Sequence, residues 1–329
     1  MSGLHEQRME ITRDAVRRFS HLPTRAIARY LADGEFGHLY NRDIETARTC
    51  VRTVCGKIGR KNRRKIKDKS LYRPTITEMP ETWRRIRTPY HLPEGTWLVL
   101  SDLHVPFHEP LPVETAIRWG QSQKVDGVFI NGDLQDCEAC SYWPVQRRDF
   151  DKEVELVIDF LEFLRYEFPK AKIVYKPGNH EYRLPRLYLS KLPELANSPL
   201  AAMETLLDFE KYGIEFLDYY QMVMAGKLPI IHGHEVRHIS RAVNPARGLF
   251  LRTKTYAACS HCHSTSEHTS KRLDGEYLTT WSFGCLCDLS PDWNPFGNDW
   301  NWGCAIVHVD KSGDFEVENR RILPNGELR

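Results

Sequence analysis

No apolar run in these 329 residues approaches the roughly 18 that a membrane-spanning helix requires. The opening, MSGLHEQRME, lacks the apolar core of a secretory leader, and the expectation is therefore a cytoplasmic protein with no membrane partner. Internal repeats are absent. Nine cysteines, an odd number scattered along the chain, do not make a disulfide framework and read as reduced thiols. Nor is there a large net charge: 46 Lys and Arg stand against 44 Asp and Glu, for +2 overall. With 41% hydrophobic and 27% charged residues the composition is that of an ordinary globular chain, long enough for one large domain and something smaller.

The near-zero total hides a strong asymmetry. Residues 1–90 carry 21 Lys and Arg against 10 Asp and Glu, or +11, whereas residues 91–329 carry 25 against 34, or −9. A basic part of this kind suits a polyanion, and nucleic acid is the expected partner. Residues 1–70 read as a basic helical region resembling a helix-turn-helix, with one helix in LPTRAIARYLAD capped by Thr24. A second, in RDIETARTCVRTVCG, is capped by Asp43, striped with Ile44, Ala47, Val51 and Val54, and stopped at Gly56. Arg48 and Arg52 lie on its other face. The gap from about Gly34 to Arg42 is longer than the turn of a standard helix-turn-helix. Eight basic residues and one acid follow between Lys57 and Lys69. Residues 71–95, with Pro74, Pro80, Pro89 and Pro93, read as a linker anchored by Trp83 and Tyr90.

From residue 96 to 329 short apolar runs alternate with amphipathic stretches, the pattern of an α/β layered fold. TWLVLS, GVFIN, KIVYKP, LPIIH and YAACS read as strands, DKEVELVIDFLEFLRYEF as the clearest helix, and EYLTTWSFG, CAIVHVD and FEVENRRI as further strands. Each of the first five runs ends in residue types that bind metals. Asp102 and His104 stand at i and i+2 in SDLH and would point to one side if the backbone stays extended. Asp133 and Asp136 follow in NGDLQD, Asn179 and His180 in PGNHEYR, His232 and His234 in IIHGHE, and His261 and His263 in CSHCH. Carboxyl ends of strands are where open α/β sheets gather ligands. A mixed Asp, His and Asn set suits Mn, Fe or Zn better than Ca or Mg.

These blocks resemble, in order, the D-x-H, G-D-x-x-D, G-N-H-E, isolated His and G-H-x-H blocks of the calcineurin-like metallophosphoesterase superfamily, over roughly residues 96–310. The resemblance implies a two-sheet sandwich flanked by helices. It implies two divalent transition-metal ions, one held by Asp102, His104, Asp133 and His263, the other by Asp133, Asn179, His232 and His261. Asp133 would then bridge and Asp136 would orient ligands. His180 would sit beside the substrate and serve the leaving oxygen after attack by a metal-bridging hydroxide. Ser260 stands where the family prefers Gly, and Arg247 in NPARGLF is a candidate for bidentate phosphate contact.

Other features are weighed against blander readings. His108, His238 and His268 read as structural, and His234 as a residue that could serve the substrate. The C-x-x-C pairs at Cys137 and Cys140 and at Cys259 and Cys262 read as packed thiols rather than a zinc site. Cys262 should face away from His261 and His263 in an extended segment, and Cys285 and Cys287 read as packed thiols. SPDWNPFGNDWNWG is either a stack for nucleobases at the mouth of the site or a loop folded over its own aromatics. The expected function is a metal-dependent phosphodiesterase, a nuclease acting on DNA or RNA, with Mn as the expected metal. A serine/threonine phosphoprotein phosphatase or a small-molecule phosphomonoesterase is the alternative. The former is disfavoured because Cys137-Glu138 and Pro177 stand where that branch carries arginines. A non-catalytic DNA-binding regulator comes last. A basic helical region joined to this block looks like the phosphoesterases of phages and prophages, which implies the host cytoplasm.

Overall fold

The structure, a computed structural model, describes residues 2–58, 87–143, 149–237, 239, 243–292 and 294–329. The chain divides into two compact units, Met1–Arg85 and Ile86–Arg329.

In the first unit, α1 (Ser2–Arg18), α2 (Thr24–Asp33) and α3 (Ile44–Val54) close over one apolar cluster. Ala15 and Val16 of α1, Ile27 and Leu31 of α2 and Ala47, Val51 and Val54 of α3 meet there with Leu39 and Tyr40. The long gap between α2 and α3 holds a single 3-10 turn, Gly37–Tyr40. α3 starts as expected: the Asp43 carboxylate accepts the Thr46 N–H at 2.7 Å and the Glu45 N–H at 3.4 Å, satisfying two of the helix's open donors. Thr24 does not cap α2. It is the first helical residue, and Pro23, whose ring fixes φ near −58°, holds the cap position without a side-chain bond. α1 has no counterpart among the expected elements, because its largely polar sequence buries only a few apolar side chains. Most of the basic run after Lys57, together with Pro74, Pro80 and Trp83, lies outside the described residues, as do His238 and Trp293.

In the second unit twelve strands are described: β1 (Tyr90–Leu92), β2 (Gly95–Leu100), β3 (Gly127–Asn131), β4 (Lys172–Lys176), β5 (Ile214–Phe216), β6 (Val223–Ala225), β7 (Leu228–Ile231), β8 (Ala257–Cys259), β9 (Ser266–Lys271), β10 (Tyr277–Ser282), β11 (Gly303–Val309) and β12 (Phe315–Arg321). They form two six-stranded sheets, ordered β12-β11-β2-β3-β4-β5 and β1-β6-β7-β8-β10-β9. β2, β3, β4 and β5 run parallel in the first, and β7 and β8 run parallel in the second. The helices of this unit include α4 (Pro110–Ser122), α5 (Phe150–Glu167), α6 (Arg183–Lys191) and α7 (Pro245–Thr253).

The period of two along each strand sorts side chains between two cores. Trp97 and Val99 of β2, Phe129 of β3, Val174 of β4 and Val307 of β11 face the other sheet, where Val223, Leu228, Ile230 and Ala258 meet them. Leu98, Leu100, Val128, Ile130, Ile173 and Tyr175 face the opposite way and pack with Val113 and Ile117 of α4 and Val157 and Leu161 of α5. Strands covered on both faces are apolar throughout, which is why these runs stood out in the sequence. Four strands that did not stand out, β1, β5, β6 and the polar β9, are short or lie at a sheet edge. β1 falls within the stretch read as a linker.

Phe129 is fully buried at the centre of the inter-sheet core. Phe129→Ala should lower the stability of the second unit by about 3–5 kcal/mol, read as a shift in the urea midpoint with an unchanged slope.

Candidate metal centre

The turns after β2, β3 and β4 and those after β7 and β8 converge, so that the two sheets face the site with parallel strands and leave their carboxyl ends together. This brings Asp102, His104, Asp133, Asn179, His232, His261 and His263 together. The mechanism of convergence differs from the one expected for SDLH. Asp102 and His104 do not continue an extended strand: both adopt left-handed backbone, at φ 52° and 50°, with Leu103 buried between them. Asp133, His261 and His263 are left-handed too, at φ 52°, 67° and 54°. Cys262 therefore does not lie in an extended segment, although it does pack away from the site, with Ile239, Leu249 and Cys259. Non-glycine residues rarely adopt this conformation, at a cost of order 1–3 kcal/mol each, and they gather where the surroundings over-determine the backbone. Here loop-to-loop bonds do so: Asp102 N–H to Gly132 O at 3.1 Å, His104 N–H to Asp133 O at 2.9 Å and Ser260 N–H to His232 O at 2.8 Å.

Two glycines of the blocks are explained by close approach. A Cβ on Gly132, which has φ +87°, would overlap the His232 ring, and one on Gly178 would overlap the Asp133 carboxylate.

Within the cluster Asp133 Oδ2 lies 3.2 Å from His232 Nε2 and 3.8 Å from His104 Nε2, while Asp102 Oδ1 lies 3.2 Å from His263 Nε2. Asn179 Oδ1 is 3.2 Å from His232 Nε2, and His104 Nε2 is 3.2 Å from His263 Nε2. Asp133 is common to two groups whose ligand atoms lie within 4.8 Å of one another: with Asp102 and His104, and with His232 and His261.

The ring tautomers are set from behind. His232 Nδ1–H donates to Asn131 O at 2.7 Å and His104 Nδ1–H to Asp136 Oδ1 at 2.9 Å, so each ring points its Nε2 inward, the atom on which a cation would replace a proton. The carboxylates are prepared in the same way. Asp102 Oδ2 accepts the His261 N–H at 3.1 Å and Asp133 Oδ1 the His180 N–H at 2.9 Å, leaving the other oxygen of each for the centre. Asp102 Oδ1 is buried and faces imidazole nitrogens, His263 Nε2 at 3.2 Å and His232 Nε2 at 4.0 Å. Buried carboxylate oxygens facing the Nε2 atoms of converging imidazoles are what cations satisfy in place of ring protons, and the donor set fits a pair of divalent ions.

The electrostatics carry the same message. Burial opposes ionisation of Asp133, yet His232 and its neighbours hold it well below the usual carboxylate range. Burial also works against charging His232 and His263, but Asp133 in one case and Asp102 in the other raise them to about 10 and about 9. Burial and the nearby His232 push His261 down to about 3.

Asp136 lies at the edge of this cluster and serves two rings: its Oδ1 accepts from His104 and, at 2.8 Å, from His180 Nδ1. Arg247 is exposed in the first turn of α7, and no contact between its guanidinium and the cluster is present among the described residues. The arginine that does reach the site is Arg183, which was not singled out in the sequence. Its guanidinium donates to Asp136 O at 2.9 Å and to Asp136 Oδ2 and His180 Nε2 at 3.2 and 3.0 Å. Its signal was its spacing, three residues after His180 and so within one helical turn.

Glu181 was also missed. Its buried carboxylate accepts N–H groups from Asp133 at 3.1 Å, Gln135 at 3.0 Å and Gly178 at 2.7 Å, together with the Tyr175 hydroxyl at 2.5 Å, tying the β3 and β4 turns into one piece. Fully buried Lys176 pairs with Glu235 at 2.6 Å, and Glu235 in turn accepts the Gly233 N–H at 2.7 Å beside His232. Ser260, in the place of a family glycine, accepts from Asn131 Nδ2 at 2.8 Å, the same Asn131 whose carbonyl fixes His232. Cys287 Sγ lies 4.0 Å from His263 Nδ1, and Trp300 packs its ring 4.2 Å from that of His263. The tryptophan-rich loop thus folds against the cluster, with the Trp302 indole N–H donating to Cys287 O at 2.8 Å. Cys137 and Cys140 lie in the helix-side core, apart from Cys259 and Cys262.

Comparison with known proteins gives the same assignment. Residues 96–281 match the family described as calcineurin-like phosphoesterase. The chain is 27% identical over 230 residues to the Gene 54 protein of Mycobacterium phage L5, covering 65% of this chain and 88% of that protein. Similar solved structures include Yfce, a phosphoesterase from E. coli, at 13% identity and TM-score 0.35 over 71% of this chain and 96% of that one. A dimetal phosphatase from Danio rerio matches at 11% identity and TM-score 0.35 over 70% and 96%. With its family blocks gathered at one buried site, the chain belongs to the calcineurin-like phosphoesterase family and is a metal-dependent phosphoesterase.

Proposed function

We propose that this protein is a binuclear phosphodiesterase that cleaves nucleic acid, with Mn as its metal. The observation that carries the substrate reading is the charge division, +11 over residues 1–90 against −9 over the rest. An acidic catalytic unit repels a polyanion, and the basic region supplies the sequence-independent phosphate contacts that overcome this.

Asp102, His104, Asp133 and His263 would hold one cation and Asp133, Asn179, His232 and His261 the other. When bound, such a pair supplies Lewis-acid polarisation of the phosphoryl oxygens and makes water nucleophilic near neutral pH. The chain's own residues do the rest. Asp136 fixes the His180 ring through Nδ1, so that Nε2, 3.9 Å from Asp133 Oδ2, is the atom that passes a proton to the leaving oxygen. In the free protein that nitrogen accepts from Arg183. A phosphate oxygen competing for the guanidinium draws Arg183 away, and the freed Nε2 lone pair then takes up a proton from water, the proton it passes to the leaving oxygen. Arg183 thus takes the phosphate-binding role that the sequence suggested for Arg247.

Three outcomes test the reading. Asp133→Asn should lose bound metal and activity together, measured by elemental analysis after Mn²⁺ reconstitution. His180→Ala should keep both metals while turnover falls by roughly 10²–10⁴ on a diester with a poor leaving group. A chain beginning at Ile86 should still cleave a small model diester but bind long single-stranded DNA or RNA more weakly than the full chain. The deficit should be largest at low salt, and its plot of log affinity against log salt should be flatter. Equal binding by the two chains at every salt concentration, with efficient dephosphorylation of a phosphopeptide, would replace the nuclease reading with the phosphatase one.

A further inference from the structure

Three loops far apart in sequence bring aromatic rings into a column beside the metal cluster. His234, two residues past His232, has its ring 5.4 Å from that of His232 and 6.3 Å from that of His261. Tyr219, between β5 and β6, stacks on His234 at 4.8 Å and 29°, and Tyr182, just before α6, stacks on Tyr219 at 4.3 Å and 21°. Tyr220 meets Tyr219 edge-on at 4.6 Å and carries the Arg87 guanidinium 4.3 Å above its ring.

The column does not belong to the packed interior. None of the three tyrosines is a member of the apolar clusters of this unit; Tyr182 and Tyr219 are half-buried, and Tyr220 is 40% exposed. Core aromatics of the same unit, such as Phe129 and Tyr175, are fully buried. His234 adds a polar element that packing does not explain: its Nδ1 lies 3.5 Å from Glu235 Oε2, but its Nε2 is buried without a hydrogen-bond partner. Buried polar atoms are nearly always satisfied, and such an exception beside a reaction centre marks a place where a ligand completes the bonding.

We propose that the column is a nucleobase subsite: the base next to the scissile phosphate stacks on Tyr182, the last ring of the column, with Tyr219 backing that ring, and His234, at the metal end, hydrogen-bonds the phosphate side of the same nucleotide. Stacking of this kind tolerates any base, because every base has a π-face, and it suits a single strand whose bases are open. Arg87 at the outer end places a cation where the backbone would continue. The inference deepens the nucleic-acid reading and rests on it for the identity of the substrate.

The test is equilibrium binding by calorimetry to the Mn²⁺-loaded full chain, with adenosine 5′-monophosphate, ribose 5-phosphate and inorganic phosphate as probes. The nucleotide should bind tighter than ribose 5-phosphate by roughly 5- to 100-fold, the range for one stacked base. Tyr182→Ala and Tyr219→Ala should erase that preference with metal content retained, and Tyr182→Phe and Tyr219→Phe should restore it, which separates stacking from the phenol groups. Equal affinity for the two sugar phosphates in the unaltered chain, or a preference that survives both alanine variants, overturns the subsite. A nucleotide preference erased by both alanine variants, in a chain that cleaves no diester, supports the subsite and removes the phosphodiesterase reading. Oligonucleotide cleavage without any nucleotide preference does the reverse.

Discussion

Two carboxylates, Asp102 and Asp133, are withdrawn from water at the meeting point of two sheets, with 0% and 1% of their surface exposed. Burying ionised oxygens in this way is affordable only when every lone pair finds a partner, and most of the local structure follows from that demand. One oxygen of each carboxylate receives a backbone N–H, and the other is left for imidazoles and cations. The left-handed residues at Asp102, His104, Asp133, His261 and His263 are the conformational consequence, since they turn N–H groups and ring edges inward within very short loops. Gly132 and Gly178 follow from the same crowding.

Behind the residues that face the centre stands a layer whose work is rigidity. Glu181 gathers N–H groups from two turns, Glu235 anchored by Lys176 braces the His232 turn, and Ser260 holds Asn131 against His232. Such partners fix ring orientation and tautomer and are as necessary to a metal site as the ligands. Their charge states differ for identifiable reasons: burial and Asp133 push Glu181 upward, whereas Lys176 outweighs burial at Glu235 and draws it down to about 2. The cluster is thus built from groups that would be unstable singly and are tolerated together.

The metal-ligand residues and the excess of positive charge occupy different parts of the chain. The phosphoester chemistry belongs to the turns after β2, β3, β4, β7 and β8, and the positive charge is concentrated in the first 90 residues. The aromatic column proposed as a base subsite has His234 beside His232 at one side and Arg87 over Tyr220 at the other. A fold shared by many phosphoesterases can acquire a particular substrate in this way, by changes in loops that leave the ligand set untouched.

The strands covered on both faces and the ligand blocks were legible in sequence because their causes are local. Apolar runs mark buried strands, and the spacing in SDLH, NGDLQD, PGNHEYR and CSHCH survives any change elsewhere. Polar or short edge strands such as β9 and β1 were not legible, since an edge strand is held by one neighbour and needs no apolar pattern. α1 escaped for the same reason, as its few buried side chains derive their meaning from α2 and α3. The sequence by itself determined which residue types could bind metal and that they stand at strand ends. Only the tertiary structure decided that Asp102 and His104 meet through left-handed turns, that Arg183 rather than Arg247 reaches His180, and that Tyr182, Tyr219 and His234 form one column. Those relations join residues from separate turns, and no spacing along the chain encodes a distance that two sheets must close.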